Sequence, residues 1–169
     1  RGRLQQRLAR REVGPAQRLD AVDLQSIAPH IPRLRRYARA LAGDQHAADD
    51  LVQDTLERAL NKHHLWRPGS DLRAWLFTIM HNVFVNQLRA RQAHPETALD
   101  EDDLPAVPSV QGARLEIRDL ESALALLPPE QREIVLLVGL EQFSYAEAAK
   151  SLDIPIGTVM SRLFRGRER

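Results

Sequence analysis

The chain has 169 residues, a formal net charge of +1, no cysteine and an aromatic content of only 5%. That length fits one ordinary domain or two small ones. The lack of cysteine excludes disulfides and thiolate metal sites and is typical of the reducing cytoplasm, where we expect the protein. No stretch approaches the roughly 20 apolar residues of a membrane span, so no membrane insertion is expected. Abundant Leu, Ala, Arg, Glu and Gln favour helix over sheet, which predicts an all-α protein.

The small net charge conceals blocks of one sign along the chain. Residues 1–20 hold six arginines against two acidic residues, and residues 44–57 hold five acidic residues with no Lys or Arg. A second acidic run lies at 100–103, and arginines return after residue 160. Such blocks predict separate surfaces for separate partners, although a block taken alone is also compatible with a solvated face.

The first helical module is predicted at 21–91, after a basic N-terminal extension at 1–20. Apolar residues recur at helical spacing from Ile31, and Gly43 and Asp44 suit the end of one helix and the cap of the next. The buried stripe of this next helix is predicted to consist of Ala48, Leu51, Val52, Leu56, Ala59 and Leu60. The sequence RPGS at 67–70 then predicts a turn before a third long helix.

Residues 92–113 lack periodicity and contain three prolines, which predicts a flexible linker. A second module is predicted at 114–169, with Pro129 as the first residue of its second helix. Its first helix is predicted to bury Leu115, Leu120, Leu124 and Leu127, and its second helix to bury Ile134, Val135, Leu137 and Val138. Two short helices joined by LDIP at 152–155 complete the module.

The second helix of the first module carries an acidic face. Its members share one side because they recur at spacings of three, four and seven residues: Asp50, Gln53, Asp54 and Glu57. Carboxylates repel DNA and attract a basic protein surface. Paired carboxylates also occur in acid/base catalysis and divalent-metal sites, but no complementary His, Lys or nucleophile pattern accompanies them. We therefore expect neither catalysis, nor a cofactor, nor a metal.

The third helix and the loop before it are predicted to contact nucleic acid. Asn82, Asn86 and Arg89 share one face of the helix, away from its apolar stripe. Asn pairs with adenine edges or unstacked bases, and cations beside a ring suit single strands. The cations and the ring of the loop are Lys62, Trp66 and Arg67. Trp66 fits a core position equally well, and adjacent histidines at 63–64 are not spaced for chelation.

The C-terminal segment SYAEAAKSLDIPIGTVMSRLFRGR has the form of a helix-turn-helix. Ser144 and Glu147 are spaced as a capping box for the first helix. One face of the second helix is predicted to carry Thr158, Ser161, Arg162 and Arg165. Hydroxyl and guanidinium groups on one face bind phosphates and read base edges in a major groove. An ordinary amphipathic helix with a solvated basic side is the alternative.

Together, three segments resemble the extracytoplasmic-function (ECF) group of bacterial sigma factors. ADDLVQDTLERAL (48–60) resembles the region 2 helix that binds the polymerase core, and DLRAWLFTIMHNVFVNQLRAR (71–91) resembles the helix that recognises the −10 element. LPPEQREIVLLVGLEQFSYAEAAKSLDIPIGTVMSRLFRGR (127–167) resembles region 4, which binds the −35 element. The phrases RPGSDLRAWLFTI and FSYAEAA are similar to the general-stress branch of the group.

The resemblance implies roles for residues at the matching positions. It implies that the acidic face binds core RNA polymerase, that the third helix and its loop bind the −10 strand, and that the last helix binds −35 duplex DNA. It also implies an anti-sigma partner that covers these surfaces, and we expect a monomer when partners are absent. Met160 departs from relatives that have Lys or Arg there, and its helical phase predicts inward packing.

Two other classes of function stay open from the sequence. A helix-turn-helix regulator that is not a polymerase subunit would bind DNA tightly by itself and usually as a dimer, but no dimerisation segment is evident. An enzyme or a metal-dependent helical bundle would need convergent catalytic groups in a pocket.

Overall fold

The computed structural model describes residues 24–93 and 113–168, with side chains of the second range described from residue 119 onward. Both described ranges are helical and contain no strand, which confirms the all-α prediction. Eight α-helices follow in order: α1 (Leu24–Ile27), α2 (Ile31–Ala42), α3 (Gln45–Asn61), α4 (Leu72–Ala93), α5 (Ala113–Ala125), α6 (Pro129–Gly139), α7 (Tyr145–Leu152) and α8 (Ile156–Arg167). The predicted extension at 1–20 and most of the predicted linker at 92–113 lie outside the described residues.

The first module, α1 to α4, is built on the caps that the sequence predicts. Gly43 ends α2 with φ of 84°, and the Asp44 side chain accepts a hydrogen bond from the Ala47 amide at 2.8 Å at the start of α3. Leu60 was predicted to be buried, but 37% of it is exposed whereas the adjacent Ala59 is fully buried. One residue rotates a helix by about 100°, which turns Leu60 out of the stripe.

The second module, α5 to α8, follows the predicted order of four helices, and Pro129 is the first residue of α6. Leu124 and Leu127 are buried as expected, but Leu120 is 61% exposed, so its predicted burial is wrong. Among the described side chains of α5, only Leu124 is buried, one turn after Leu120 and just before the helix ends at Ala125. Leu120 therefore lies beyond the packed end of the helix. The core of α6 consists of the buried Ile134 and Leu137, with Val135 and Val138 half-buried, and the side chain of Leu115 is not described.

The two modules pack directly against each other, a contact that the sequence did not predict. Helix α2 lies against α6, and α4 lies against α7. The ring of Phe77 on α4 meets two other rings edge-on, Tyr37 on α2 at 5.0 Å and Phe143 before α7 at 5.4 Å. All three are at most 2% exposed, so one continuous apolar core extends through both modules. The surfaces described next are therefore presented by one closed unit.

Candidate functional site

The acidic face lies on the outer side of α3, as predicted. Asp50, Gln53 and Glu57 are exposed, and Asp54 is half-buried because its Oδ2 accepts a hydrogen bond from Gln87 Nε2 on α4 at 3.0 Å. The opposite side of α3 is anchored in the core by Leu51, Val52 and Thr55. The exposed carboxylates are thus held on a rigid helix and directed toward solvent, and such a surface suits contact with a basic protein surface. Gln87 was not singled out in the sequence, because its partner lies 33 residues away.

Three polar side chains predicted to bind single-stranded DNA are exposed along α4: Asn82, Asn86 and Arg89. The opposite side of the helix is buried through Leu76, Phe77, Ile79, Met80, Val83 and Phe84. The Asp71 carboxylate accepts a hydrogen bond from the Ala74 amide at 3.2 Å in the first turn. Because Gln87 of the same helix binds Asp54, the acidic face and this polar face are mechanically joined.

The loop between α3 and α4 combines exposed cations with an aromatic ring. Lys62 and Arg67 are exposed, whereas Trp66 is half-buried against the core. The indole Nε1 of Trp66 is buried and has no hydrogen-bond partner within the described ranges. His63 Nδ1 donates a hydrogen bond to the Leu60 carbonyl at 2.8 Å, which ties the loop to the end of α3. Trp66 therefore packs against the core, whereas the two cations of the loop lie in solvent.

The helix-turn-helix of α7 and α8 has the predicted capping box. The Ser144 backbone N–H donates to Glu147 Oε2 at 2.7 Å, and the Glu147 backbone N–H donates to Ser144 Oγ at 3.2 Å. The hydrogen bond from the Ser144 backbone N–H holds the pKa of the Glu147 carboxyl below its usual value. Asp153 joins the helices in a left-handed conformation with φ of 52°. The turn geometry is thus fixed locally, which sets the direction of α8.

The predicted reading face of α8 is assembled on its outer side. Arg165 is exposed, while Thr158, Ser161 and Arg162 are half-buried, and the Ser161 hydroxyl donates to the Thr158 carbonyl at 3.1 Å. Val159 and Leu163 anchor the inner side. This face carries hydrogen-bond donors and positive charge, the chemistry of phosphate and base-edge contacts.

Met160 is a correction to the sequence prediction, because 53% of it is exposed instead of packed. The buried stripe of α8 is only as wide as Val159 and Leu163, so a residue 100° from Val159 falls outside it. Met160 lies between two other exposed apolar side chains at spacings of four, Ile156 at 49% and Phe164 at 62% exposure. We call Ile156, Met160 and Phe164 the α8 apolar stripe.

Several residues with long-range partners were missed in the sequence. Glu141, directly after α6, is fully buried and contacts Arg33 and Arg36 of α2. Arg132 of α6 donates to four carbonyl oxygens, three around the end of α5 and one from Leu41 at the end of α2. Burial lowers the pKa of Arg132. Burial and the negative charges of Glu133 and Glu141 raise the pKa of Tyr37. Contacts between residues 91 and 105 positions apart in the sequence cannot be inferred from local residue spacing.

Two further findings concern only the described ranges. Within them, no three His, Cys, Asp or Glu side chains are grouped so that they could hold a metal ion. No helix there is long and apolar enough to cross a membrane.

Two family models match the chain. The model described as "Sigma2 domain of PhyR" matches residues 27–81, and that described as "Sigma-70, region 4" matches residues 117–169. These matches coincide with the first and second modules.

Curated relatives and a solved structure point to the same family as these two models. The ECF RNA polymerase sigma factor EcfG of Rhodopseudomonas palustris is 43% identical over 82% of this chain and 77% of its own length. SigE of Mycolicibacterium smegmatis, also named an ECF sigma factor, is 38% identical over 83% of this chain, which spans 56% of that relative. The sigma factor RpoE of Bartonella quintana, solved in complex with the anti-sigma factor NepR, superposes with a TM-score of 0.74 at 37% identity, covering 85% of this chain and 91% of that one. The chain therefore belongs to the ECF family of RNA polymerase sigma factors.

Proposed function

We propose that this protein directs core RNA polymerase to a specific set of promoters and assists their opening, and that it catalyses nothing itself. The single observation that carries the proposal is the simultaneous exposure of an acidic face on α3 and two faces with DNA-binding chemistry on α4 and α8. Because a promoter-recognition subunit acts where polymerase transcribes, its proposed site of action is the cytoplasm. The similarity to EcfG and RpoE favours a role in the general stress response.

The acidic face is proposed to dock on a basic surface of the polymerase. Asp50, Gln53 and Glu57 are free for such a contact, and Asp54 is fixed by Gln87. Docking raises the effective concentration of both DNA-binding faces at the promoter, so two weak contacts act as one bivalent engagement.

The polar face of α4 is proposed to capture the −10 strand as it separates. Unpairing a base costs a few kcal/mol, so the open strand needs a surface that binds it at once. Asn82 and Asn86 offer amide donors and acceptors to base edges, and Arg89 adds a positive charge. Lys62 and Arg67 extend the positive charge into the preceding loop, where Trp66 supports the backbone.

The reading face of α8 is proposed to bind −35 duplex DNA in the major groove. Arg165 is free to contact a guanine edge, and the half-buried Thr158 and Ser161 present hydroxyls near the DNA backbone. The contacts of Arg162 and Arg165 fix the position of the second module on the duplex.

An anti-sigma factor is proposed to inhibit the protein by covering α8. RpoE of Bartonella quintana was solved with such an inhibitor. The α8 apolar stripe offers a partner helix three anchors at spacings of four residues, next to the reading face. An inhibitor helix on this stripe would exclude DNA from the same helix.

Polymerase binding is tested with charge reversal on the acidic face. The double variant Asp50→Lys/Asp54→Lys should lose association with purified core polymerase in a pull-down while it keeps the helical circular dichroism of the parent. The matched control, Asp119→Lys/Glu121→Lys, makes the same charge change at exposed positions of α5 and should bind normally. Normal binding by the α3 variant would refute the docking role.

Promoter recognition is tested by transcription with core polymerase. The chain should support run-off transcription from a cognate promoter, and Arg165→Ala should lower it about tenfold or more, the effect of losing one bidentate base contact. Arg167→Ala removes the same charge from the same helix and should weaken all promoters alike. Tight and specific gel shift by the chain without polymerase would instead favour a conventional helix-turn-helix regulator.

A further inference from the structure

Asp54 lies at the edge of the acidic face that is nearest to α4. Its Oδ2 accepts the hydrogen bond from Gln87 Nε2 at 3.0 Å, and both side chains are half-buried. The exposed Asp50 lies one turn earlier on the same side of α3, so Asp54 continues the acidic row. A hydrogen bond from a second helix therefore fixes a carboxylate that a partner on this face would meet.

The donor that holds Asp54 is neutral, in contrast to the partners of the buried Glu141. Glu141 is paired with Arg33 and Arg36, whose positive charges compensate its own charge. Buried carboxylates need such compensation, because an unpaired charge away from water is costly. Gln87 instead fixes the Asp54 carboxylate and leaves its negative charge in place.

Two arginines follow at helical spacing, yet neither forms an ion pair with Asp54. Arg58 follows Asp54 by four residues on α3, a spacing at which Asp and Arg side chains reach each other. Arg91 follows Gln87 by four residues on α4 and lines the same small groove as Gln87. Within the described ranges, no ion pair involves Asp54. Its charge is thus left for a partner.

The hydrogen bond also leaves one oxygen of the carboxylate available. Oδ1 of Asp54 makes no hydrogen bond in the part of the chain that the structure describes, and it is not enclosed by protein atoms. A carboxylate oxygen of this kind accepts from a Lys or Arg of a partner. Because the side chain is already held in one position, binding does not have to order it, which is worth about three- to tenfold in affinity.

We propose that Gln87 is a positioning residue for polymerase binding, which holds the Asp54 carboxylate in place on the acidic face without neutralising its charge. This role rests on the proposed function, in which the acidic face docks on core polymerase. Gln87 acts through Asp54 and does not itself have to touch polymerase. A residue of α4 thereby adjusts the affinity of a surface on α3.

The positioning role is tested in the full chain with two variants of Gln87. Gln87→Met keeps the length of the side chain but removes the donor, and should weaken binding to purified core polymerase about threefold in biolayer interferometry. Gln87→Lys keeps a donor but adds a charge that pairs with Asp54, and should weaken binding about tenfold. Gln92→Met and Gln92→Lys are matched controls at an exposed position about 140° further around α4, and should change the affinity less than about twofold.

Two further measurements separate positioning from a role in stability alone. In urea denaturation Gln87→Lys should be at least as stable as the parent, because an ion pair with Asp54 replaces the hydrogen bond, although this variant binds polymerase more weakly. The salt dependence of the Kd should be shallower for Gln87→Lys and unchanged for Gln87→Met, since only Lys cancels a charge on the acidic face. Affinity losses that simply follow losses of stability in both variants would overturn the proposal.

The variant Asp54→Asn distinguishes the positioning role from the docking role. It should weaken polymerase binding about tenfold, and Gln87→Met in the same chain should then add less than about twofold, because the charge that Gln87 positions is gone. A full further loss would show that Gln87 acts on another group, which overturns the positioning role. A loss with Asp54→Asn but with neither Gln87 variant overturns the positioning role and leaves the docking role standing. Normal binding by Asp54→Asn refutes both roles of this carboxylate.

Discussion

Gly166, near the end of α8, lies where α8 crosses α6. A Cβ atom built there would come within 2.9 Å of Val135 Cγ2, closer than ordinary van der Waals contact. Val has one stiff side-chain torsion and cannot swing away, so Gly166→Ala must shift α8 or α6. Overpacking of this kind costs about 1–3 kcal/mol, and the better helix propensity of Ala offsets about 1 kcal/mol. The expected net loss in the free energy of unfolding is about 1 kcal/mol.

Gly157 on the same helix provides a matched control, because a Cβ there has nothing within 4 Å. Gly157→Ala should stabilise the protein by about 0.5 kcal/mol, since it only reduces the freedom of the unfolded chain. Urea denaturation of both variants, followed by far-ultraviolet circular dichroism, should therefore separate them by about 1.5 kcal/mol. Gly166→Ala should also weaken −35 binding, because Arg165 is adjacent. The packing argument is refuted if Gly166→Ala is as stable as Gly157→Ala.

Three other predictions concern the core of the first module and the capping box of the second. Leu51→Ala removes a fully buried side chain and should lower the free energy of unfolding, measured by urea denaturation, by about 2–5 kcal/mol. Leu60→Ala, at a partly exposed position of the same helix, should lower it by less than about 1 kcal/mol. Equal losses would contradict the burial of Leu51 and the exposure of Leu60 on α3. Ser144→Ala breaks the capping box of α7 and should cost about 1 kcal/mol, measured in the same way. Because the pKa of Glu147 is lowered in the folded protein, the ionised Glu147 contributes fully to the free energy of unfolding above its ordinary pKa of 4.5. This contribution is lost as pH falls through the lowered pKa. Glu147→Gln should therefore flatten this part of the acid dependence, and an unchanged acid transition would contradict the assignment.

The sequence predicted the features that depend on local spacing. The order of the helices, the caps at Gly43, Asp44 and Ser144, and the acidic face of α3 all follow from residues within a few turns of one another. The exposure of Asn82 and Arg165 followed likewise from helical phase. Whether these side chains bind polymerase and DNA stays a prediction.

The wrong predictions of burial concern residues at the borders of buried stripes, and the residues that were missed lie at the contact between the modules. Met160, Leu60 and Leu120 are apolar residues at the edge of a stripe, where burial depends on how widely neighbouring helices cover it. Helical phase gives a direction but not that width. Glu141 was missed because a charged residue in a turn has no local signature of burial when its partner lies 105 residues away. Arg132 was missed because its partners are backbone carbonyls, which any residue offers, and one of them lies 91 residues away.

Each half of the closed unit is small, since residues 24–93 and 113–168 both fall below about 75 residues. One hydrophobic core of that size supplies little stability by itself, so the rings of Phe77 and Phe143 allow each half to stabilise the other. A chain whose two halves came apart would lose this support and be prone to local unfolding. Proteases cleave such transiently unfolded segments first. Substitutions that weaken the contact between the halves should therefore make the whole protein more sensitive to proteolysis.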